Sequence, residues 1–214
     1  SVEADIWLTP EGLLVAHDRR DLKPGRTLQS LYLDPLRARV QANGGRVYPS
    51  GPAFYLLVDV KFEAEPTYAA LDKVLRQYAD ILTAFPAGKS EAKAVTIILS
   101  GNRAAETIAA QATRYVGIDG RPEDLDRNPP GELYPWISGN WTLLFRWRGE
   151  GAMPAAEKQR LADFVQRAHA QHRQVRFWAT PENENLWREL TAADADLINT
   201  DQLDRLKTFL LSQL

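Results

Sequence analysis

Cysteine is absent from all 214 residues, which excludes a disulfide framework, a thiolate nucleophile and a cysteine-based metal site. The absence fits any compartment, so it limits chemistry and not location. Histidine is nearly as scarce: His17, His169 and His172 are the whole supply of imidazole for acid–base work. A surplus of one charge is also missing. The 26 Lys and Arg against 28 Asp and Glu leave a formal net charge of −2, with no basic excess to suggest a nucleic-acid partner. Long apolar runs are missing too. Runs such as Leu13–Val15 and Thr96–Leu99, and the longest, Ala53–Val58, have strand length and fall far short of the roughly 18–20 residues of a transmembrane segment. There is no internal repeat, no low-complexity segment and no linker that divides domains. Ser1 leads straight into a strand pattern and not into a targeting segment, which a processed chain would also do.

What is present is ordinary globular material, 44% hydrophobic and 25% charged, in a chain long enough to bury a substantial core. Residues 2–8 alternate, with Val2, Ala4, Ile6 and Leu8 on one face and Glu3, Asp5 and Trp7 on the other. This period of two is that of a strand. Residues 9–12 read as a turn and 13–17 as a second short strand. Residues 18–52 read as loop and short helix. The run 54–61 has the pattern of a strand buried on both faces. A helix is expected from Pro66 to about Thr83, with Tyr68, Leu71, Leu75, Tyr78 and Leu82 on one stripe. Strands follow at 94–99, 115–118, 137–140, 174–179 and 195–200. Helices are expected at 103–114, 154–172, 182–193 and 201–214, and an irregular segment at 119–153. This alternation predicts an α/β fold with a parallel sheet and helices outside. Seven parallel strands can be counted, against the eight of a closed (β/α)8 TIM-type barrel. The expectation is therefore a barrel lacking its first strand, a single domain over 1–214 that is truncated at its N-terminus.

In such a fold, functional residues sit at the C-terminal ends of strands and in the loops that follow. Those positions hold Glu3 and Asp5, His17-Asp18, Asp59 and Lys61, Ser100–Asn102, Asp119–Arg121, Ser138–Asn140, Trp178 and Asn199–Asp201. Alternation puts Glu3 and Asp5 on one side, and likewise Asp59 and Lys61. Three carboxylates converging in a barrel mouth repel one another unless a cation neutralises them. An all-oxygen donor set favours a hard divalent ion, Mg²⁺ or Ca²⁺. Lys61 beside it would hold an anionic group such as phosphate, and His17 would serve as general acid or base. Each residue also has a structural reading: Glu3 and Asp5 as a solvated strand edge, Asp59 and Lys61 as an ion pair, Trp178 as packing, Asn102 and Asn140 as turn and cap residues. His169 and His172, near a helix C-terminus, read as structural. The functional case rests on the combination.

That combination, from "SVEADIWLTPEGLLVAHD" through "LLVDVKFEAEPTYAAL", "SGNR", "DGR", "SGNW" and "RFWATPE" to "LINTDQL", resembles the glycerophosphodiester phosphodiesterase and phosphatidylinositol phospholipase C-like superfamily. The branch it looks like is the one that includes the "altered inheritance of mitochondria" proteins. The resemblance implies that Glu3, Asp5 and Asp59 are ligands of a divalent cation, Mg²⁺ or Ca²⁺, and that Lys61 contacts phosphate. It implies that Trp178 is an aromatic at the site mouth and that His17 is one of two catalytic histidines. Asn102 and Asn140 join the candidate substrate contacts. The third acidic motif reads D-x-K, as in sphingomyelinase D-like members, where many relatives have E-x-K. The family's other histidine lies in an H-N motif ahead of E-x-D, and nothing precedes Ser1 here.

Two functions follow as expectations. One is a metal-dependent phosphoric diester hydrolase acting on a small-molecule or lipid phosphodiester, a glycerophosphodiester or phospholipid-like substrate. The other is a catalytically silent barrel that binds metal and phosphate without turnover. The relatives point to a secreted or periplasmic setting.

Overall fold

The computed structural model describes residues 1–86 and 89–213. They form two compact units, Ser1–Asp119 and Gly120–Leu214.

The first unit is built on a mixed sheet. Strand β1 (Val2–Thr9) turns back through β2 (Gly12–Val15), and the two pair antiparallel. Helix α1 (Asp34–Ala42) follows, led by a π-helical turn at Gln29–Leu33. Then come β3 (Phe54–Val60), α2 (Ala64–Leu75), β4 (Phe85–Pro86), β5 (Val95–Gly101), α3 (Ala105–Ala110), β6 (Thr113–Arg114) and β7 (Val116–Gly120), at whose end the unit closes. Strands β1, β3, β5 and β7 pair in that order, all parallel, while β4 and β6 make a separate antiparallel pair. The apolar run of β3 is buried throughout its centre, with Leu56 and Val58 at 0% exposure, as expected of a strand covered on both faces. Tyr68, Leu71 and Leu75 supply the buried stripe of α2.

Two expected helices are shorter than their periodicity suggests. The stretch from Pro66 to Thr83 is helical only to Leu75, with one 3₁₀ turn at Arg76–Tyr78. Beyond it, Thr83 N–H donates to Val95 O at 2.8 Å and Val95 N–H donates to Ile81 O at 3.1 Å, so residues 81–83 run beside β5. Likewise, the Ala-rich stretch 103–114 is helical only over Ala105–Ala110, because Thr113 and Arg114 pair with Pro86 and Phe85. In both places sheet pairing outweighs local helix preference.

Tyr78, at 5% exposure, donates its hydroxyl to Asp34 Oδ1 at 2.5 Å. Burial first, and this carboxylate second, push its pKa up to about 12. A folded-state pKa above the unfolded value stabilises the protein fully below the unfolded pKa, about 10. That contribution is lost as pH rises through the folded value of about 12. The melting temperature is therefore expected to fall between those limits, and to fall less steeply in Tyr78→Phe; equal slopes for the two proteins would refute this assignment.

The second unit contains α4 (Asp124–Arg127), β8 (Trp136–Asn140), α5 (Trp141–Leu144), α6 (Ala155–Ala170), β9 (Gln174–Trp178), α7 (Glu184–Ala192), β10 (Leu197–Ile198) and α8 (Leu203–Leu211). Strands β8, β9 and β10 pair parallel in that order. The segment 119–153, expected to be irregular apart from the strand at 137–140, thus also contains two short helices. Trp136, Trp141, Phe145 and Trp147 in it are core. Trp141 is fully buried, stacks on Phe145 at 4.2 Å and meets Phe177 edge-on at 5.6 Å. Leu161, Val165 and Ala168 of α6 and Leu186 and Leu190 of α7 close over the same cluster. Among the described residues, seven strands enter parallel pairs, as the sequence suggests, and no helix is long and apolar enough to cross a membrane.

Candidate functional site

Strand register assembles the first unit's polar cluster. Ala4 and Ile6 are buried at 1% and 0% exposure, so the intervening Glu3 and Asp5 fall on the opposite face of β1. Parallel pairing sets Asp5 directly beside Asp59 of β3, and Asp59 beside Ser100 of β5. Glu3, Asp5 and Asp59 each offer a carboxylate oxygen, and these atoms all lie within 4.8 Å of one another. Ligands around a hard cation at about 2.4 Å can be at most about 4.8 Å apart. The donor set therefore fits a divalent ion in size and in chemistry.

The β1–β2 turn brings His17 to the same place. Ala16 N–H donates to Asp5 O at 3.1 Å, and Trp7 Nε1–H donates to Ala16 O at 2.9 Å. His17 Nδ1 then stands 2.9 Å from Asp5 Oδ2. An ionised carboxylate only accepts, so Nδ1 is the donor to Asp5 and, in the neutral ring, the lone pair lies on Nε2, which faces the other way. His17 is otherwise well exposed, its side chain 80% accessible.

Lys61 follows β3, its N–H bonded to Ile6 O at 3.1 Å. Its Nζ lies 3.1 Å from Asp5 Oδ1 and 3.6 Å from Asp59 Oδ1. Burial works against the ammonium, yet Asp59, Asp5 and Glu3 together outweigh it and hold its pKa above the usual value. Lys61 is thus a fixed positive charge at neutral pH. Three carboxylates and one ammonium leave a formal surplus of two negative charges, which a divalent cation would cancel.

Two further residues shape the cluster. Tyr32, in the π-helical turn before α1, donates its hydroxyl to Glu3 O at 3.2 Å. Burial and the charge of Asp5 raise its pKa, with Arg26 opposing and Glu3 adding to the rise. Nothing in "SLYLDPL" distinguishes this tyrosine from a core residue, so it is invisible without the tertiary contact. Gly101 ends β5 at φ +70°, and a Cβ there would lie 2.3 Å from Asp59 Oδ1 and 2.4 Å from Val60 O. Its signal was available in the sequence, as a glycine directly after an apolar strand. Asn102 donates from Nδ2 to Lys61 O at 3.2 Å and from its backbone N–H to Val60 O at 2.9 Å. It therefore clasps the loop that carries Lys61.

The other candidates belong to the second unit. Asn140 caps α5, its Oδ1 accepting from Thr142 N–H at 2.9 Å and from the Thr142 hydroxyl at 2.7 Å. Trp178 is its register partner at the end of β9 and is 40% exposed. His169 Nε2 lies 2.9 Å from Asp196 Oδ2, which also accepts from Val175 N–H at 2.7 Å. His169 thus ties α6 to the start of β9, in keeping with a structural role.

Carboxylates on the neighbouring parallel strands β1 and β3, with a lysine after β3 and a histidine after the β1–β2 hairpin, make one acidic cluster. The AIM6-like phosphodiesterase domain matches residues 1–119, more than half of the chain, and the chain belongs to that family. The glycerophosphoryl diester phosphodiesterase family matches residues 174–204. Altered inheritance of mitochondria protein 6 of Eremothecium gossypii is 28% identical over 98% of this chain and 63% of its own length. A homolog of that protein in Arthroderma benhamiae is 27% identical over 98% of this chain and 74% of its own. The chain thus spans less than two thirds of the first of these relatives. The crystal structure of a glycerophosphodiester phosphodiesterase from Parabacteroides distasonis matches 99% of this chain and 83% of that one, with a TM-score of 0.58 at 17% identity. The expected α/β barrel class, and the branch of the superfamily, are both borne out by these likenesses.

Proposed function

We propose that the chain is a divalent-cation-dependent phosphoric diester hydrolase, with Glu3, Asp5 and Asp59 as the cation ligands. The likeness of 99% of this chain to a single solved structure supports reading residues 1–214 as one phosphodiesterase-like domain. The observation that carries the functional reading is the meeting of three carboxylate oxygens within 4.8 Å, with Lys61 and His17 each on Asp5. When bound, the cation, Mg²⁺ or Ca²⁺, would neutralise the carboxylates and draw charge from the phosphoryl oxygens. Lys61 supplies a second positive charge for the same anion. Asp5 holds the Nδ1–H of His17, leaving Nε2 to take a proton from the attacking hydroxyl group or water, or to return one to the leaving oxygen. Asn102, which clasps the loop that carries Lys61, is a proposed substrate contact, and a glycerophosphodiester or phospholipid-like diester is the proposed substrate.

A second reading is a barrel that binds metal and phosphate without turnover, supported by the cluster itself, because three carboxylates and Lys61 would hold both groups whether or not a second acid–base group completes the site.

Hydrolysis of bis(p-nitrophenyl) phosphate and glycerophosphocholine separates the two. The hydrolase is expected to lose activity in EDTA, to regain it with Mg²⁺ or Ca²⁺, and to slow about 10²–10⁴-fold in His17→Ala. Activity indifferent to EDTA would rule out the cation mechanism. Tight divalent binding without turnover would establish the second reading.

A further inference from the structure

Helix α1 is entered through a π-helical turn that moves one side chain out of the core. The buried positions of this stretch are Leu28, Leu33, Leu36 and Val40, so the first step along the buried face is five residues. An α-helix returns to one face after three or four, and a plain α turn from Leu28 would bury Tyr32. In its place Asp34 N–H donates to Gln29 O, five residues back. The wider turn carries Leu33 inward and leaves Tyr32 half-buried on the flank. Such turns are rare, and they concentrate at functional sites.

Both ends of the turn are tied to the hairpin that carries the carboxylates. At its start, Val15 N–H donates to Arg26 O at 2.8 Å and Thr27 pairs with Leu14. Thr27 and Ser30 each accept the other's N–H on a hydroxyl at 3.1 Å. At its far side, the Tyr32 hydroxyl donates to Glu3 O at 3.2 Å. Alternate carbonyls of a strand face opposite edges. Ile6 O accepts from Lys61 N–H on the β3 side, and Asp5 O accepts from Ala16 N–H on the β2 side. Glu3 O shares the edge of Asp5, two residues beyond the bond from Ala16, and there Tyr32 continues the edge bonding. The residue it secures offers one of the three carboxylate oxygens within 4.8 Å.

We propose that Tyr32 is a positioning residue of the acidic cluster: by bonding Glu3 O it holds the edge of β1, so that Glu3 meets Asp5 and Asp59 before a cation arrives. This rests on the proposed cation site. A ligand set that is already assembled spends less of its binding energy on ordering the chain. Loss of an outer-shell partner lowers metal affinity about 10–100-fold. Tyr32 acts through the main chain, so the low end applies.

Calorimetric titration of the full chain with MgCl₂ and with CaCl₂ compares the wild type, Tyr32→Phe and Tyr78→Phe. Tyr32→Phe keeps the ring and removes only the hydroxyl. Tyr78→Phe removes a phenolic hydrogen bond of the same unit, to Asp34, away from the three cluster carboxylates. Divalent affinity is expected to fall about tenfold in Tyr32→Phe and to stay at the wild-type value in Tyr78→Phe. Amide exchange over residues 3–5 of the metal-free protein reads the same bond with no cation present. It is expected to be about three- to tenfold faster in Tyr32→Phe, the effect of losing one hydrogen bond. Equal divalent affinity in the wild type and Tyr32→Phe overturns the inference and leaves the cation site standing. So does an equal loss in Tyr78→Phe, which would mean general loosening of the unit, or unaltered exchange over residues 3–5. A wild type that binds neither ion removes the cation site itself, and with it the role of Tyr32.

Discussion

Asp59→Asn is expected to lose tight divalent binding and at least about 100-fold in diester hydrolysis, without unfolding the protein. The lower bound follows from outer-shell partners of metal ligands, whose loss already costs about 10–100-fold. Asp59 is one of three oxygen donors within 4.8 Å, so its charge is a third of what attracts the cation. Lys61, 3.1 Å from Asp5 Oδ1, remains to pair with Asp5 when Asp59 is neutral, and one carboxylate–carboxylate repulsion disappears. Stability in EDTA should therefore hold or rise. What should vanish is the stabilisation by added metal. A cation at about 100 times its dissociation constant stabilises the wild type by about 2.7 kcal/mol, which for a chain of this size is about 5–10 °C in melting temperature. Thermal scans with and without Mg²⁺ read this directly, apart from any substrate. An equal metal-induced rise in both proteins would remove Asp59 from the ligand set.

Gly101→Ala is expected to cost about 2–4 kcal/mol of stability and to weaken divalent binding at the same time. The Cβ would lie 2.3 Å from Asp59 Oδ1, 2.4 Å from Val60 O and 2.8 Å from Val60 N. The side chain could swing aside, but Val60 is backbone at the end of a central strand, and its carbonyl is bonded to Asn102 N–H at 2.9 Å. Relief therefore displaces the strand end that presents Asp59. The positive φ adds its own penalty, and overpacking adds about 1–3 kcal/mol. Gly25 isolates the two contributions: it has φ +76° but nothing within 4 Å of its Cβ position. Gly25→Ala should cost only about 1–2 kcal/mol and leave metal binding alone. Urea unfolding of the two variants, followed by Mg²⁺ titration, provides the comparison. Equal losses in both would place the whole effect in backbone strain.

Much of this was readable from residue order, because alternation is a local property. Val2-Glu3-Ala4-Asp5-Ile6 declares which side each carboxylate takes as soon as it is extended, and the apolar run 54–58 declares a strand with two covered faces. The alternation of strand and helix then implies parallel neighbours, and with them the polar strand ends. The misread helices, 66–83 and 103–114, failed where a locally helical sequence is captured by a strand far along the chain, and nothing within the segment records that. Asn140 reads equally well as cap or contact until Thr142 is seen on it.

The sequence by itself determined the fold class, the acidic positions, and the histidine and lysine that accompany them, since composition and period of two suffice for these. Tertiary structure alone decided that Asp5 and Asp59 stand in register, that both oxygens of Asp5 are engaged by His17 and Lys61, and that Tyr32 and Gly101 belong to the same cluster. Apart from His17 on Asp5, twelve positions away, those are contacts between segments tens of residues apart. Their distances depend on strand pairing and close packing, which no local pattern encodes.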